Sequence, residues 1–460
     1  MSSQFPDQTL SEDSLSSPTA TRNTHAWLVF IGSSENQFSG AGEIWPIDSV
    51  STIVFGRGTG ESTLSERCDG VLQIKIPLGW VSRKHAEIRV VTTDREMEFD
   101  LRDLESRNGT YIEGQSVPGL ARLAPGQVFE VGRSFWVVRE LAMHDVPPQP
   151  VRSLAPAETS NPELCGIHRS LAQLADSNVS FMLRGETGTG KEVAARSIHR
   201  ISGRKGAFVS ANLAVLSEDR IDPILFGQRR RLISGSKQES PGLLEQADHG
   251  TLYLDELSEL TSQAQAKLLA ALADGQIVRS GKTEREPFDV RIISSSLVDV
   301  HNMVLSGKFR PDLYSRLSGF EAEIPPLRNR REDLGVLTRT LCKTRNGGQV
   351  RVSTPAFRRI LGYGWSFNIR ELGQTLATAS ILAGTGGEIT REVLEEILDR
   401  RRDMPDSPET VTELRNQLVS QLARSGGNTA EVARAMERDQ KEIHRWLERF
   451  ELQSDAYKLG

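Results

Sequence analysis

The stretch FMLRGETGTGKEVAARSIHR, residues 181–200, decides how the rest of the chain is read. An apolar run at 179–183 leads into Gly185-Glu186-Thr187-Gly188-Thr189-Gly190-Lys191, and a helical pattern begins near Glu192. Strand, glycine-rich turn and helix N-terminus together form an anion site. The turn points backbone N–H groups inward, and the helix dipole adds positive potential. Lys191 has the length to reach the outer phosphates of a nucleotide. The next position is Glu192, not the Ser or Thr that usually helps hold Mg²⁺. Residues 185–192 are therefore the expected ATP site, with Mg²⁺ as its metal.

Downstream, GTLYLDELSEL places Asp255-Glu256 at the end of an apolar run. Acidic pairs usually sit on solvated surfaces, but this one ends a buried strand after a phosphate loop. Asp255 is the expected metal ligand and Glu256 the expected activator of water. Around both, strand and helix patterns alternate: FMLRG, AFVSANL, GTLYLDEL, then the helical TSQAQAKLLAALADG, then DVRIISSS. Repeated strand–helix units predict a parallel sheet with nucleotide at the strand C-termini.

At 460 residues the chain has room for two or three domains. Its formal net charge is −5, so nucleic-acid contact has to come from a local patch. Cys68, Cys165 and Cys342 are scattered without metal-ligand spacing and read as reduced thiols. No apolar run approaches the about 20 residues of a membrane span, and no signal pattern opens the chain. A soluble cytoplasmic protein without membrane partners is expected.

Residues 1–24 are rich in Ser, Thr and Asp and read as a disordered tail. From Trp27 the texture becomes short β-type runs: AWLVFI, STIVFGRG, HAEIRVV, MEFDLRDL, GTYIEG, QVFEVG and SFWVVREL. Such spacing without helices predicts a β-sandwich. Three polar islands, Gly56-Arg57, Ser82-Arg83-Lys84-His85 and Ser106-Arg107-Asn108-Gly109-Thr110, fall at strand ends. Arg and hydroxyl donors there suit a dianionic phosphate, although an Asn-Gly pair is also a plain turn signal. Residues 141–163, rich in Pro and Ala, read as a semi-extended linker.

Near the C-terminus, VTELRNQLVSQLARSGGN, TAEVARAMERD and QKEIHRWLERFEL give three helical patterns. Gly426 and Gly427 stop the first, and Asn428 or Thr429 can cap the second. In the third, Ile443, Trp446, Leu447 and Phe450 share one face, and Lys441, Arg445 and Arg449 the other. That division suits a helix for the major groove, or a plain amphipathic cap.

Three resemblances follow from these motifs. Residues 27–140 resemble the forkhead-associated domain, a phosphothreonine-peptide reader. The resemblance implies that Arg57 and Ser82 hold phosphate, Arg83 assists, Asn108 bonds the peptide backbone, and His85 and Gly109 buttress the loops. Residues 160–400 resemble the AAA+ module of sigma-54-dependent enhancer-binding activators through GETGTGKE, FVSANL, GLLEQADHGTLYLDEL, GKFRPDLYSRL and IPPLRNRREDL. Glu192 is that family's own choice. The resemblance implies that Asn212 restrains the catalytic Glu256, Arg310 and Arg316 reach a neighbour's γ-phosphate in a ring, usually a hexamer, and Arg370 is the lid arginine. The C-terminal patterns resemble a Fis-type helix-turn-helix, which implies DNA reading by Gln440, Lys441, His444 and Arg445, with Arg449 on phosphate.

The departures are specific. LFGQRRRLISGS stands where the family carries its GAFTGA sigma-contact loop, with Arg231-Leu-Ile-Ser-Gly-Ser236 at the tip: the aromatic and central Thr are gone, and Arg229 to Arg231 place three cations together. Leu297 replaces an Asn at the sensor position and leaves nothing there to polarise or position a group. Trp365-Ser-Phe-Asn368 loses the Pro and Gly of the family's turn. The expected organisation is a tail at 1–24, a sandwich at 25–140, a linker at 141–160, an α/β P-loop ATPase with helical lid at 161–400, a linker at 401–410, and an all-α helix-turn-helix at 411–455. The expected activity is slow ATP hydrolysis to ADP and phosphate, serving transcription regulation. Expected partners are DNA, RNA polymerase with a sigma factor, and a phosphothreonine protein or the chain's own tail. Two rivals remain: an ATP-binding repressor or modulator that does not engage sigma-54, and a phosphopeptide adaptor with a vestigial ATPase.

Overall fold

The computed structural model describes residues 24–60, 62–92, 97–142, 159–231, 237–278, 285–343, 350–384, 387–402, 417–422, 424–436 and single positions from 443 to 452. Residues 1–394 form one compact unit and 395–460 another.

In the first unit two six-stranded sheets make a sandwich. One runs Ile44–Pro46, Thr24–Gly32, Ser134–Ala142, Val128–Val131, Thr110–Ile112, Gln115–Ser116 in spatial order. The other runs Leu120–Leu123, Met97–Asp103, Ala86–Thr92, Thr52–Arg57, Val71–Ile76, Leu64–Cys68. Only Thr52–Arg57 and Val71–Ile76 pair in parallel; the remaining ladders of these sheets are antiparallel. Alternate residues such as Phe30, Phe55, Ile88, Phe99, Phe129 and Trp136 fill the core between the sheets. The strands Leu64–Cys68 and Val71–Ile76 were absent from the sequence reading, although VLQIKI alternates cleanly. The first strand opens at Thr24, a residue expected in the tail.

The nucleotide module is a five-stranded parallel sheet in the order Phe208–Asn212, Thr251–Asp255, Arg291–Ser296, Phe181–Arg184, Phe320–Glu323. The period of two sends Leu252, Leu254 and Ile292 to one face and Phe181, Leu183, Tyr253 and Ile293 to the other. Helices Lys191–Ile201 and Ser262–Asp274 belong to these two faces. A helical region follows with Asp333–Lys343, Thr354–Leu361 and Asn368–Ala383.

The end of the expected linker is ordered. Asn161 caps helix Pro162–Gln173, and the Thr159 hydroxyl and Ser160 N–H donate to Asp333. Residues 143–158 lie outside the described residues. In the second unit, helical residues 417–422 and helix Thr429–Ala435 close on a core of Leu418, Leu422, Val432, Ala433, Ile443 and Leu447. Asn428, not Thr429, is the cap, accepting the Ala430 and Glu431 N–H groups.

Candidate nucleotide and phosphopeptide sites

The phosphate loop joins strand Phe181–Arg184 to helix Lys191–Ile201. Gly188 has φ +80, and a Cβ there would meet the Phe367 carbonyl at 2.2 Å, so glycine is required twice over. The helical region holds this loop closely. Ile369 N–H donates to Gly188 O (3.0 Å), and the Asn368 side chain donates to Thr187 O (3.0 Å) and Glu186 (3.1 Å). Asn368 is wholly buried with φ 54. That residue shapes the turn from which Pro and Gly are missing, and Trp365 is buried beside it at φ 48.

Lys191 is buried and donates to Gly185 O (2.6 Å) and Glu186 O (3.2 Å). Burial lowers its pKa, opposed by the carboxylates of Glu256 and Asp255; the Arg370 charge lies in the same field. The charges of Glu256, Asp255 and Arg370 thus all bear on the Lys191 ammonium. Burial would raise the Glu186 carboxyl, but hydrogen bonds from Arg328 and Asn368 outweigh it and hold it below its ordinary value. Glu192 is exposed and bonded to Arg196 one turn on (2.7 Å).

Asp255 ends its strand with both oxygens engaged. Tyr253 (3.1 Å) and Ser295 donate to Oδ1, and Asn212 to Oδ2 (3.1 Å). The Asn212 amide thus restrains Asp255, next to the Glu256 it was expected to hold. Glu256 sits at φ 57 and accepts the Leu297 N–H. Leu297 thus positions a group after all, through its backbone. Asp255 and Glu256 could take part in Mg²⁺ binding together with nucleotide oxygens. Among the described residues no cluster of three or more His, Cys, Asp or Glu forms a self-sufficient metal site. Arg310 and Arg316 are exposed at the two ends of helix Pro311–Leu317, and Arg310 chelates Asp312 (3.0 and 2.7 Å).

On the sandwich, hydrogen bonds tie the three polar islands into one group of loops. Arg57 lays its guanidinium on Val81 O (2.7 Å) and Gly79 O (3.2 Å). The Ser82 hydroxyl accepts Arg107 N–H (3.1 Å), which leaves its own hydrogen to donate. Asn108 donates to Trp80 O (2.7 Å), and Arg83 is exposed. His85 is wholly buried. Its Nδ1 accepts Ser82 N–H (3.0 Å), which fixes Nε2 as donor to Gly109 O (3.1 Å). Burial lowers its pKa, in keeping with a neutral buttress. Sequence reasoning missed Asp103, which accepts Ser106 N–H (2.8 Å) and the Thr110 hydroxyl (2.6 Å) and sets the Asn108 loop.

Of the expected DNA-reading residues, His444 is exposed beside the buried Ile443. Gln440, Lys441, Arg445 and Arg449 lie outside the described residues. So do positions 232–236 of the arginine-rich loop, whose flanks Gln228–Arg231 and Lys237–Ser240 pair as an antiparallel hairpin.

A parallel sheet, a glycine loop closed over a buried lysine, and an acidic strand end facing it define an AAA+ P-loop nucleotide-binding module, here joined to a sandwich of the phosphopeptide-reading type. Comparison with known proteins agrees. Residues 158–323 match the sigma-54 interaction domain, 53–132 the FHA domain, and 328–410 the AAA+ ATPase lid domain. The anaerobic nitric oxide reductase transcription regulator NorR of Citrobacter koseri is 35% identical over 318 residues, covering 64% of this chain and 62% of that one. Its Salmonella newport counterpart is 35% identical over 316 residues with the same coverage. The chain thus spans less than two thirds of the length of these relatives. The crystal structure of NtrX from Brucella abortus is similar at 30% identity, covering 63% of this chain and 68% of that one with a TM-score of 0.46. The chain carries an FHA domain, a sigma-54 interaction domain and its AAA+ lid, and is related to NorR-type sigma-54-dependent transcription regulators. Among the described residues no helix is long and apolar enough to cross a membrane.

Proposed function

We propose that this chain is a cytoplasmic, DNA-binding transcription regulator of the sigma-54 activator type, with an ATP-hydrolysing ring at its centre and a phosphothreonine reader at its N-terminus. The observation that carries it is the buried Lys191 folded onto the glycine loop at the start of helix Lys191–Ile201, in the same parallel sheet whose strand Thr251–Asp255 ends in the acidic pair. Bound MgATP supplies the scissile γ-phosphate and the charge that Mg²⁺ neutralises. Backbone N–H groups of residues 185–190 and Lys191 hold the phosphates. Asp255, fixed by Asn212, Tyr253 and Ser295, offers its carboxylate towards the metal. Glu256, held by the Leu297 amide, orients a water and takes its proton. Arg310 and Arg316, exposed on their own subunit, reach a neighbour's phosphate in a hexameric ring.

Arg57, Ser82, Arg83 and Asn108 form the phosphothreonine site, for which a partner protein or the tail is the source. The second unit, whose sequence sets Lys441, Arg445 and Arg449 at helical spacing, contacts DNA. ATP turnover by the purified chain, lost in Lys191→Ala together with nucleotide binding, is the test. A chain that bound no nucleotide would overturn the reading. The sequence at 229–236 favours one alternative, an ATP-binding regulator that acts without sigma-54.

A further inference from the structure

Strands Thr24–Gly32 and Ser134–Ala142 are buried on both faces. Trp27, Val29, Ile31, Phe135 and Val137 point away from the sandwich core and are covered nonetheless. The lid supplies cover over Thr24–Gly32, and helix Pro162–Gln173 also packs on Ser134–Ala142. Gly335 lies so close to the Ile31 carbonyl that a Cβ would approach it to 1.6 Å. Phe357 is wholly buried between Phe38 (4.6 Å) and Phe135 (5.2 Å). Three two-pronged ion pairs frame this contact: Arg358 with Glu130 (2.7 and 2.8 Å), Arg331 with Glu113 (2.8 and 2.9 Å), and Arg139 with Glu332 (2.9 and 2.5 Å).

Two of these pairs belong to a short strap, residues 328–333, that also grips the nucleotide loop. Arg328 chelates Glu186 (2.8 and 2.5 Å), and Arg330 donates to Thr189 O (2.6 Å). Arg331 and Glu332, the next two residues, face the sandwich. At the other end, Glu113 follows directly on strand Thr110–Ile112, which begins where the Asn108-Gly109 loop ends. The Asn108 loop and the phosphate loop are therefore joined by one short strand, one ion pair and adjacent strap residues.

We propose that this strap couples phosphopeptide binding on the sandwich to nucleotide binding in the AAA+ module, with the Glu113–Arg331 pair as the joint. The proposal rests on both binding activities assigned above. Seating a phosphopeptide reorders the Ser106–Gly109 loop, and that displacement runs through a three-residue strand into Glu113. Arg331 transmits it to Arg330, whose donated hydrogen bond sets Thr189. The alternative states are the docked sandwich seen here and one in which the ion pairs have released.

The test uses the full chain, a fluorescent ATP analogue and a degenerate peptide mixture centred on phosphothreonine. Saturating peptide shifts the analogue's Kd by about fivefold or more, and by linkage the analogue shifts peptide affinity by the same factor. Glu113→Gln retains the bond to Val128 N–H but loses the charge pair; Arg331→Met loses the pair from the other side. Both variants keep each single-ligand affinity within about twofold and bring the coupling factor close to one. A purely structural interface would leave the factor unchanged. Independent binding in the parent, or full coupling in both variants, overturns the proposal. Failure of either single-ligand titration overturns the functional reading itself, and is seen before any coupling is measured.

Discussion

The Glu256 carboxylate accepts the backbone N–H of Leu297 at 3.2 Å. The residue that replaces a polar sensor therefore still holds the water-activating group, but its side chain has nothing to offer a phosphate. Glu256→Gln is expected to bind ATP like the parent and to lower turnover about 10²–10⁴-fold, as removal of a general base does. Leu297→Asn keeps the N–H and adds a polar group, so turnover should rise roughly tenfold with nucleotide affinity unchanged. Single-turnover kinetics with radiolabelled ATP measures both. A Glu256→Gln rate equal to the parent's would remove Glu256 from the mechanism.

Because Asn212 donates to Asp255, its loss should act through the metal. Asn212→Ala is expected to raise the Mg²⁺ concentration for half-maximal turnover by about tenfold, one charge-assisted hydrogen bond, while saturating Mg²⁺ restores the rate. A lowered maximal rate with unchanged Mg²⁺ dependence would return Asn212 to Glu256.

Arg57 is preset by the Val81 and Gly79 carbonyls with its guanidinium exposed. Losing one charge-assisted contact to phosphate costs about 1.5–3 kcal/mol, so Arg57→Ala should weaken phosphothreonine peptides about tenfold to a hundredfold. Fluorescence anisotropy on the full chain reads this directly. Equal affinity for phosphorylated and plain peptides would sink the sensor reading.

What the sequence made legible was local. The glycine loop, the acidic strand end and the three loop islands depend on short spacings, and each sits in the expected strand or loop context. Side-chain partners were not legible: whether Asn212 turns to Asp255 or Glu256 depends on rotamers and packing, and the Leu297 contact is made by backbone that any residue has. The docking of sandwich on lid had a signal that went unused. AWLVFI and SFWVV do not alternate as a half-solvated strand should, and unbroken apolar runs of this kind belong to strands covered on both faces. The turn at 365–368 shows the reverse case: Phe367 stands where the family has Gly, yet its φ is −106, so that position needs no glycine, and the left-handed residues are Trp365 and Asn368.

His168 is mostly covered, and burial, helped by the Arg330 charge, pushes its pKa down to about 4. The unfolded chain titrates near the model-peptide value of about 6.5. A depressed folded value means that the unfolded state takes up the proton first, so stability is present above about pH 6.5 and is lost as pH falls towards 4. The loss attributable to this group is ~3 kcal/mol. Asp333, raised to about 6 by burial, works in the opposite direction over part of the same window. Melting temperatures of the parent and His168→Gln, compared from pH 7 to pH 4.5, should therefore draw together or cross as the parent loses its histidine contribution. A constant difference across that range would show that His168 titrates normally.

The last prediction concerns the hairpin whose flanks are Gln228–Arg231 and Lys237–Ser240. The matched domain is named for sigma-54 interaction, and the resemblance implies a contact loop with an aromatic and a hydroxyl at its tip. This chain writes Arg229-Arg-Arg-Leu-Ile-Ser-Gly-Ser236 there. Placing three guanidinium groups against a surface shaped for an aromatic costs desolvation unless carboxylates meet them. Weak or absent sigma-54 binding is expected, with DNA, an acidic protein surface or another sigma factor as the better contact. A pull-down with purified sigma-54 and an ATP transition-state analogue decides it. Stable complex formation by the parent chain, abolished by Ile233→Ala, would show that Leu232 and Ile233 supply the docking surface in place of the aromatic and that the arginines are neutralised by the partner. No complex with sigma-54, alongside retained ATP turnover, would assign the hairpin to a different target.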